Sequence, residues 1–103
     1  MKKQRKVQLT DEVWATAQER AILEEKSASD ICEHVLQHYL ALDEKPSARI
    51  MEIPAGSKAR YVYISRLTWA EIKGCKVREN RPIGAILEQQ LRAYLGLPAS
   101  ASS

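Results

Sequence analysis

Long apolar runs are missing from this sequence. No stretch approaches the roughly 18 consecutive apolar residues of a membrane-spanning helix, so none is expected. The start, Met1-Lys2-Lys3-Gln4-Arg5-Lys6, is basic like the opening of a signal peptide. No apolar segment follows it, so secretion is not expected. Cysteine is scarce: Cys32 and Cys75 stand far apart and in no CxxC arrangement. That predicts two reduced thiols in a cytoplasmic protein, not a disulfide or a metal site. The chain also lacks a glycine-rich phosphate loop, a GxSxG turn and an HExxH helix. Neither an enzyme nor a cofactor is expected.

What is present fits one small soluble domain. The 103 residues are 45% hydrophobic and 28% charged, the balance of a globular protein. A chain this short needs a core shared by all its parts. The net charge of +3 is unevenly spread. Residues 1–10 carry four bases and no acid, residues 11–44 carry nine acids against two bases, and residues 45–103 carry ten bases against four acids. A basic arm and a basic second half suit a polyanionic partner, with the acidic stretch expected to face away from it.

A shift of 55 positions superposes the two halves without a gap. Arg5, Val7, Trp14, Ala15, Glu24, Ile31, Glu33, Leu36, Tyr39, Leu40 and Leu42 then meet identical residues, eleven identities between positions 5 and 42. The two tryptophans of the chain, Trp14 and Trp69, meet each other. Such self-similarity marks a duplicated structural unit. The chain is expected to be a single domain over 1–103, made of repeats at about 4–42 and 59–97 joined by a linker at 43–58.

Each copy opens on a short alternating run, Lys6-Val7-Gln8-Leu9 and Tyr61-Val62-Tyr63-Ile64. Period-two alternation predicts a strand with one buried and one exposed face. Thr10 and Ser65 follow at helix N-cap positions. First helices are expected at 11–25 and 66–79, with apolar stripes of Val13, Trp14, Ala17, Ala21 and Ile22 and of Trp69, Ile72 and Val77. Ser27-Ala28-Ser29-Asp30 reads as a capping box opening a helix over 28–42. Its counterpart begins after Asn80-Arg81-Pro82 and stops at Gly96. Ile31, Cys32, Val35, Leu36, Tyr39 and Leu40 form one buried face, matched by Ile86, Leu87, Leu91, Tyr94 and Leu95. Pro46, Pro54 and Gly56 make the linker mostly loop, and the 99–103 tail is expected to fray.

One strand–helix–helix unit cannot stand alone, because its strand and its apolar helical faces stay unpaired. Two units joined through their strands make a ribbon over four helices. This pattern, carried by Lys6-Val7-Gln8-Leu9-Thr10-Asp11-Glu12-Val13 and Ser27-Ala28-Ser29-Asp30-Ile31, resembles the ribbon-helix-helix family in a tandem, single-chain form. The resemblance implies an α+β, mostly helical pseudo-dimer with a two-stranded antiparallel ribbon and four helices. It implies sequence-specific binding of double-stranded DNA, the ribbon lying in the major groove, in a transcriptional repressor or a plasmid conjugation or partition accessory factor. Such a protein would be cytoplasmic and associated with nucleoid or plasmid, and the resemblance allows self-association on DNA. By the alternation, the face turned from the core carries Gln4, Lys6 and Gln8 and, opposite, Ala59, Tyr61 and Tyr63. These are the expected base-reading residues. The resemblance puts DNA phosphate at the N-terminus of each second helix: Ser27, Ala28 and Ser29 in one copy, Ile83 and Gly84 after Pro82 in the other. Lys2, Lys3, Arg5, Lys58 and Arg60 are expected to flank the ribbon and add phosphate contacts.

Other residues have plainer readings. His34 and His38 have a zinc-compatible spacing but match Gln89 and Ala93, so they are expected to be exposed and metal-free. Cys32 matches Leu87 and belongs to the core, while Cys75 matches Arg20 and is expected at the surface. Trp14, Trp69, Tyr39 and Tyr94 read as packing residues. The alternative to DNA binding is a protein-interaction module, antitoxin-like or scaffold, that keeps the fold without the DNA.

Overall fold

The computed structural model describes residues 2–46 and 49–99. Met1, Ser47 and Ala48 of the linker, and positions 100–103 of the expected frayed tail lie outside the described residues. The elements run β1 (Lys2–Leu9), α1 (Asp11–Leu23), α2 (Ala28–Ala41), β2 (Lys58–Ser65), α3 (Arg66–Glu79) and α4 (Ile83–Leu95). Among the described residues the fold is α+β and mostly helical, one antiparallel two-stranded ribbon with four helices. Among the described residues no helix is long and apolar enough to cross a membrane.

Both strands extend beyond their alternating cores. Lys2 lies opposite Ser65 and Leu9 opposite Lys58, so β1 begins four residues before Lys6 and β2 three before Tyr61. Ladder hydrogen bonds need only backbone groups, and apolar alternation therefore marks just the part of each strand that roofs the core. Val7, Leu9, Val62 and Ile64 point down into that core and are buried.

The helices start and stop where local chemistry dictates. Thr10 Oγ1 accepts the Val13 amide at 3.3 Å, and Ser65 Oγ accepts the Thr68 amide at 3.2 Å. At α2 the capping box is complete: the Asp30 amide donates to Ser27 Oγ at 3.1 Å, and the Ser27 amide donates to the Asp30 carboxylate at 3.2 Å. Both first helices end on a left-handed residue, Glu25 at φ 55° and Asn80 at φ 52°. The next amide then reaches back to close the turn, Lys26 to the Ala21 carbonyl at 2.9 Å and Arg81 to the Lys76 carbonyl at 3.2 Å. The duplication thus holds down to individual cap bonds, 55 positions apart.

Five of the eleven identities between the halves are contacts across the pseudo-two-fold axis. The Arg5 guanidinium lies 5.1 Å from the Trp69 ring centre, and Arg60 lies 5.8 Å from that of Trp14. Tyr39 donates its hydroxyl to Glu79 at 2.6 Å, and Tyr94 donates to Glu24 at 3.0 Å. Glu33 accepts the Ser65 amide at 2.8 Å, and Glu88 accepts the Thr10 amide at 3.1 Å. Each pair joins one half to the other, so these five shared positions help hold the two units together.

Three expectations about packing fail. Ile22 and Val77 are 77% and 79% exposed, because Ala21 and Cys75 take the inward positions at the ends of α1 and α3. Successive helical side chains point about 100° apart, so a neighbour of an inward residue faces water. Cys75 is buried, not a surface thiol. It follows Ile72 by three on the inward stripe and its small side chain fits there. Its counterpart Arg20 is too long for that space and lies 5.4 Å from the Tyr94 ring instead. Cys32 is buried as expected, and burial pushes its thiol up to about 12.

Candidate nucleic-acid interface

The upper face of the ribbon is built by strand register. Gln4 lies opposite Tyr63, Lys6 opposite Tyr61 and Gln8 opposite Ala59. All six side chains are exposed, and Tyr61 and Tyr63 keep more than half their surface in water. The pleat sends the intervening residues downward, so the six form a two-column surface that contributes nothing to the core. It offers amide groups able to donate and accept, one ammonium and two phenols.

Arg5 and Arg60 do not flank this face. They occupy the downward face of their strands, each lying against a tryptophan of the other half. Arg60 also donates to the Leu9 carbonyl at 3.3 Å and pairs with Asp11. Arg5 has no carboxylate partner among the described residues, and its Nε is buried without a hydrogen bond. Their downward placement follows from odd and even positions: Arg5 shares a face with Val7, and Arg60 with Val62. The remaining basic residues differ in their surroundings. Lys2 pairs with Asp30 at 3.1 Å and Lys58 with Asp11 at 3.3 Å, while Lys3 and Lys6 make no ion pair among the described residues.

The acidic stretch does not wholly face away from the ribbon either. Asp11 and Asp30 sit against it. Hydrogen bonds from Arg60 and Lys58 hold the Asp11 carboxyl below its usual range. The Ser27 amide, followed by Lys2, does the same for Asp30.

The two second-helix N-termini are unequal. At α2, Ser27 is exposed and Ala28 and Ser29 half-exposed, and the Ala28 and Ser29 amides have no acceptor among the described residues. Ser29 Oγ accepts the Tyr63 amide at 2.9 Å, tying this end of α2 to β2. At α4, Ile83 and Gly84 are buried, which removes them as open phosphate contacts. A Cβ on Gly84 would lie 2.9 Å from the Gln8 carbonyl and 2.6 Å from Ile53 Cδ1. Glycine here admits the backbone of β1 and the linker's Ile53, not a ligand. Pro82 supplies no side-chain cap.

Hydrophobic patterning carries no sign of a set of buried polar residues beneath the ribbon. Glu33 takes hydrogen bonds from the Ser65 amide and hydroxyl, Thr68 and Gln37. Burial pushes its carboxyl up, but these donors outweigh burial and leave it below its ordinary value. Glu88, fully buried, instead pairs with Arg92 at 2.9 Å. Arg92 is itself buried and reaches Glu12 at 3.0 Å. The one available signal was the Glu33/Glu88 identity between the repeats.

His34 and His38 are exposed and border a cleft of about 230 Å³ between α2 and α4, completed by Val35, Gln90, Ala93 and Tyr94. Among the described residues no group of three or more histidine, cysteine or acidic side chains is placed to hold a metal ion. Comparison with family models, curated proteins and solved structures gives no match for this chain.

Proposed function

We propose that this chain is a tandem, single-chain member of the ribbon-helix-helix family that binds double-stranded DNA through its ribbon. The observation that carries this reading is the exposed face on which Gln4, Lys6 and Gln8 stand opposite Tyr63, Tyr61 and Ala59. A two-stranded ribbon fits the major groove, where base edges present distinct donor and acceptor patterns. Glutamine pairs with adenine through two bonds, lysine reaches guanine acceptors, and a tyrosine ring edge packs on a thymine methyl. Lys2 and Lys3, with the α2 N-terminus, supply the non-specific backbone term. A repressor or a plasmid conjugation or partition accessory factor, cytoplasmic and bound to nucleoid or plasmid, uses such a surface. The two columns differ in sequence, so the target is an asymmetric site and not a perfect palindrome.

The test is selection of sites from random duplexes, followed by binding of Lys6→Ala, Tyr61→Ala and the double variant. Loss of sequence preference with an unchanged circular dichroism spectrum supports the reading. Unchanged preference removes the ribbon as reader. A protein-interaction module is favoured by one observation, the exposed Ile22, Leu23 and Val77 at the helix ends. It predicts no steep fall of DNA retention with salt.

A further inference from the structure

The two ends of the ribbon are related by the pseudo-two-fold, yet they carry different charge. One end gathers the start of β1, the end of β2, the start of α3 and the start of α2. There Lys2, Lys3, Arg5 and Arg66 stand against Asp30 and Glu33. The other end gathers the end of β1, the start of β2, the start of α1 and the start of α4. There Lys58, Arg60 and Arg92 stand against Asp11, Glu12 and Glu88. The first end has a formal net charge of +2 and the second of zero.

The difference has a single main source. Asp11 is the first residue of α1, and Arg66, 55 positions on, is the first residue of α3. A carboxylate and a guanidinium thus occupy equivalent places. Asp11 engages both Lys58 and Arg60. For their counterparts Lys3 and Arg5 the equivalent position holds Arg66, and none of the three has an ion-pair partner among the described residues. The covered α4 N-terminus, closed by Ile53 over Gly84, lies at the same end as Asp11.

We propose that the protein grips DNA phosphates from the Lys3–Arg66 end only, with Asp11 holding the opposite end electrostatically closed, so that it lies on its site in one fixed direction. This rests on the DNA-binding reading above. A phosphate approaching the second end meets Asp11, two-thirds exposed, and lysine and arginine groups that this carboxylate already engages. A phosphate approaching the first end meets an exposed Lys3 and Arg66, neither of them ion-paired among the described residues. Polarity of this kind would orient any partner or second copy assembled alongside on the duplex.

The experiment uses the full chain and a fluorescein-labelled duplex recovered by selection from a random pool. Affinity is measured across a salt series for the wild type, Lys3→Ala, Arg66→Ala, Lys58→Ala and Asp11→Asn. Each neutralised phosphate contact contributes about 0.9 to the slope of log affinity against log salt. Lys3→Ala and Arg66→Ala each flatten the slope by about that amount, and Lys58→Ala leaves it within about 0.3 of wild type. Asp11→Asn releases the exposed Lys58, steepening the slope and tightening binding. Phosphate ethylation interference falls on one side of the selected site. Every variant is checked by thermal melting, and the exposed Lys3→Ala variant carries the proposal if another variant fails to fold. Equal slope losses for Lys3→Ala and Lys58→Ala, or interference on both sides, overturn the proposal while leaving DNA binding standing. A wild type that retains no duplex at low salt overturns both.

Discussion

At the scale of single residues, the same buried glutamate position is satisfied in two ways. Glu88 is matched by a charge, Arg92, whereas Glu33 is matched by neutral donors because position 37 holds glutamine. Removing Glu88 leaves the buried Arg92 guanidinium with Glu12 as its remaining carboxylate and the Thr10 amide and hydroxyl without their acceptor. Glu88→Ala should therefore cost about 3 kcal/mol in urea unfolding. Glu33 has a folded-state affinity for protons below its unfolded value of 4.5. Its contribution is present above that value and is lost as pH falls through the depressed folded one. Glu79, held low against burial by Tyr39 and Arg81, adds to the same acid limb. The wild-type melting temperature should fall as pH drops below about 5, and Glu33→Gln should be less stable at neutral pH with a shallower acid decline. A Glu33→Gln profile running parallel to wild type would remove Glu33 from that limb.

Periodicity could not have found these carboxylates, since it registers apolar residues alone. Nor could it tell Ile22 from Ala21 at the end of a helix, where neighbouring apolar residues compete for one inward position. Arg5 and Arg60 depart from expectation for a related reason. Their charge argues for an outward place, but strand parity puts them on the core side, where a guanidinium lies against a tryptophan. The six outward ribbon positions were legible because parity and exposure agree there.

At the scale of elements, the caps and the strand–helix contacts set the geometry of the ribbon. Glu25 holds a left-handed conformation that costs a non-glycine residue about 1–2 kcal/mol, less for asparagine. Transplanting the residue of the second copy, Glu25→Asn, should raise stability by up to about 1 kcal/mol, measured by thermal or urea unfolding. Gly84 presents the opposite case. Gly84→Ala drives a methyl against the Gln8 carbonyl and Ile53, so α4 must withdraw from β1 at a cost of about 1–3 kcal/mol. Because Gln8 is on the outward face, the same substitution should also weaken DNA binding, whereas Gly56→Ala, a site with open space but a left-handed backbone, should affect stability alone. The helix limits, caps and turn positions were readable from Thr10, Ser65, Ser27 and Asp30. The closure of the α4 N-terminus was not, because it depends on where Ile53 of the linker comes to rest.

At the scale of the whole molecule, one chain closes its own ribbon: β1 pairs with β2 of the same polypeptide, and the paired contacts between halves are intramolecular. Its melting temperature should be independent of protein concentration over a hundredfold range or so, whereas halves exchanged between two chains would make it rise with concentration. Joining the halves also frees them to diverge where symmetry would otherwise bind them, at Gln-Lys-Gln against Ala-Tyr-Tyr and at Asp11 against Arg66. The measurement that bears most directly on function is an amide-resolved NMR titration of the intact chain with a duplex recovered by selection. The shifts should concentrate on β1, β2 and the first turn of α2, with the outer ends of α1 and α3 around Ile22 and Val77 unmoved. Shifts gathered at those helix ends with the ribbon silent would contradict DNA reading by the ribbon.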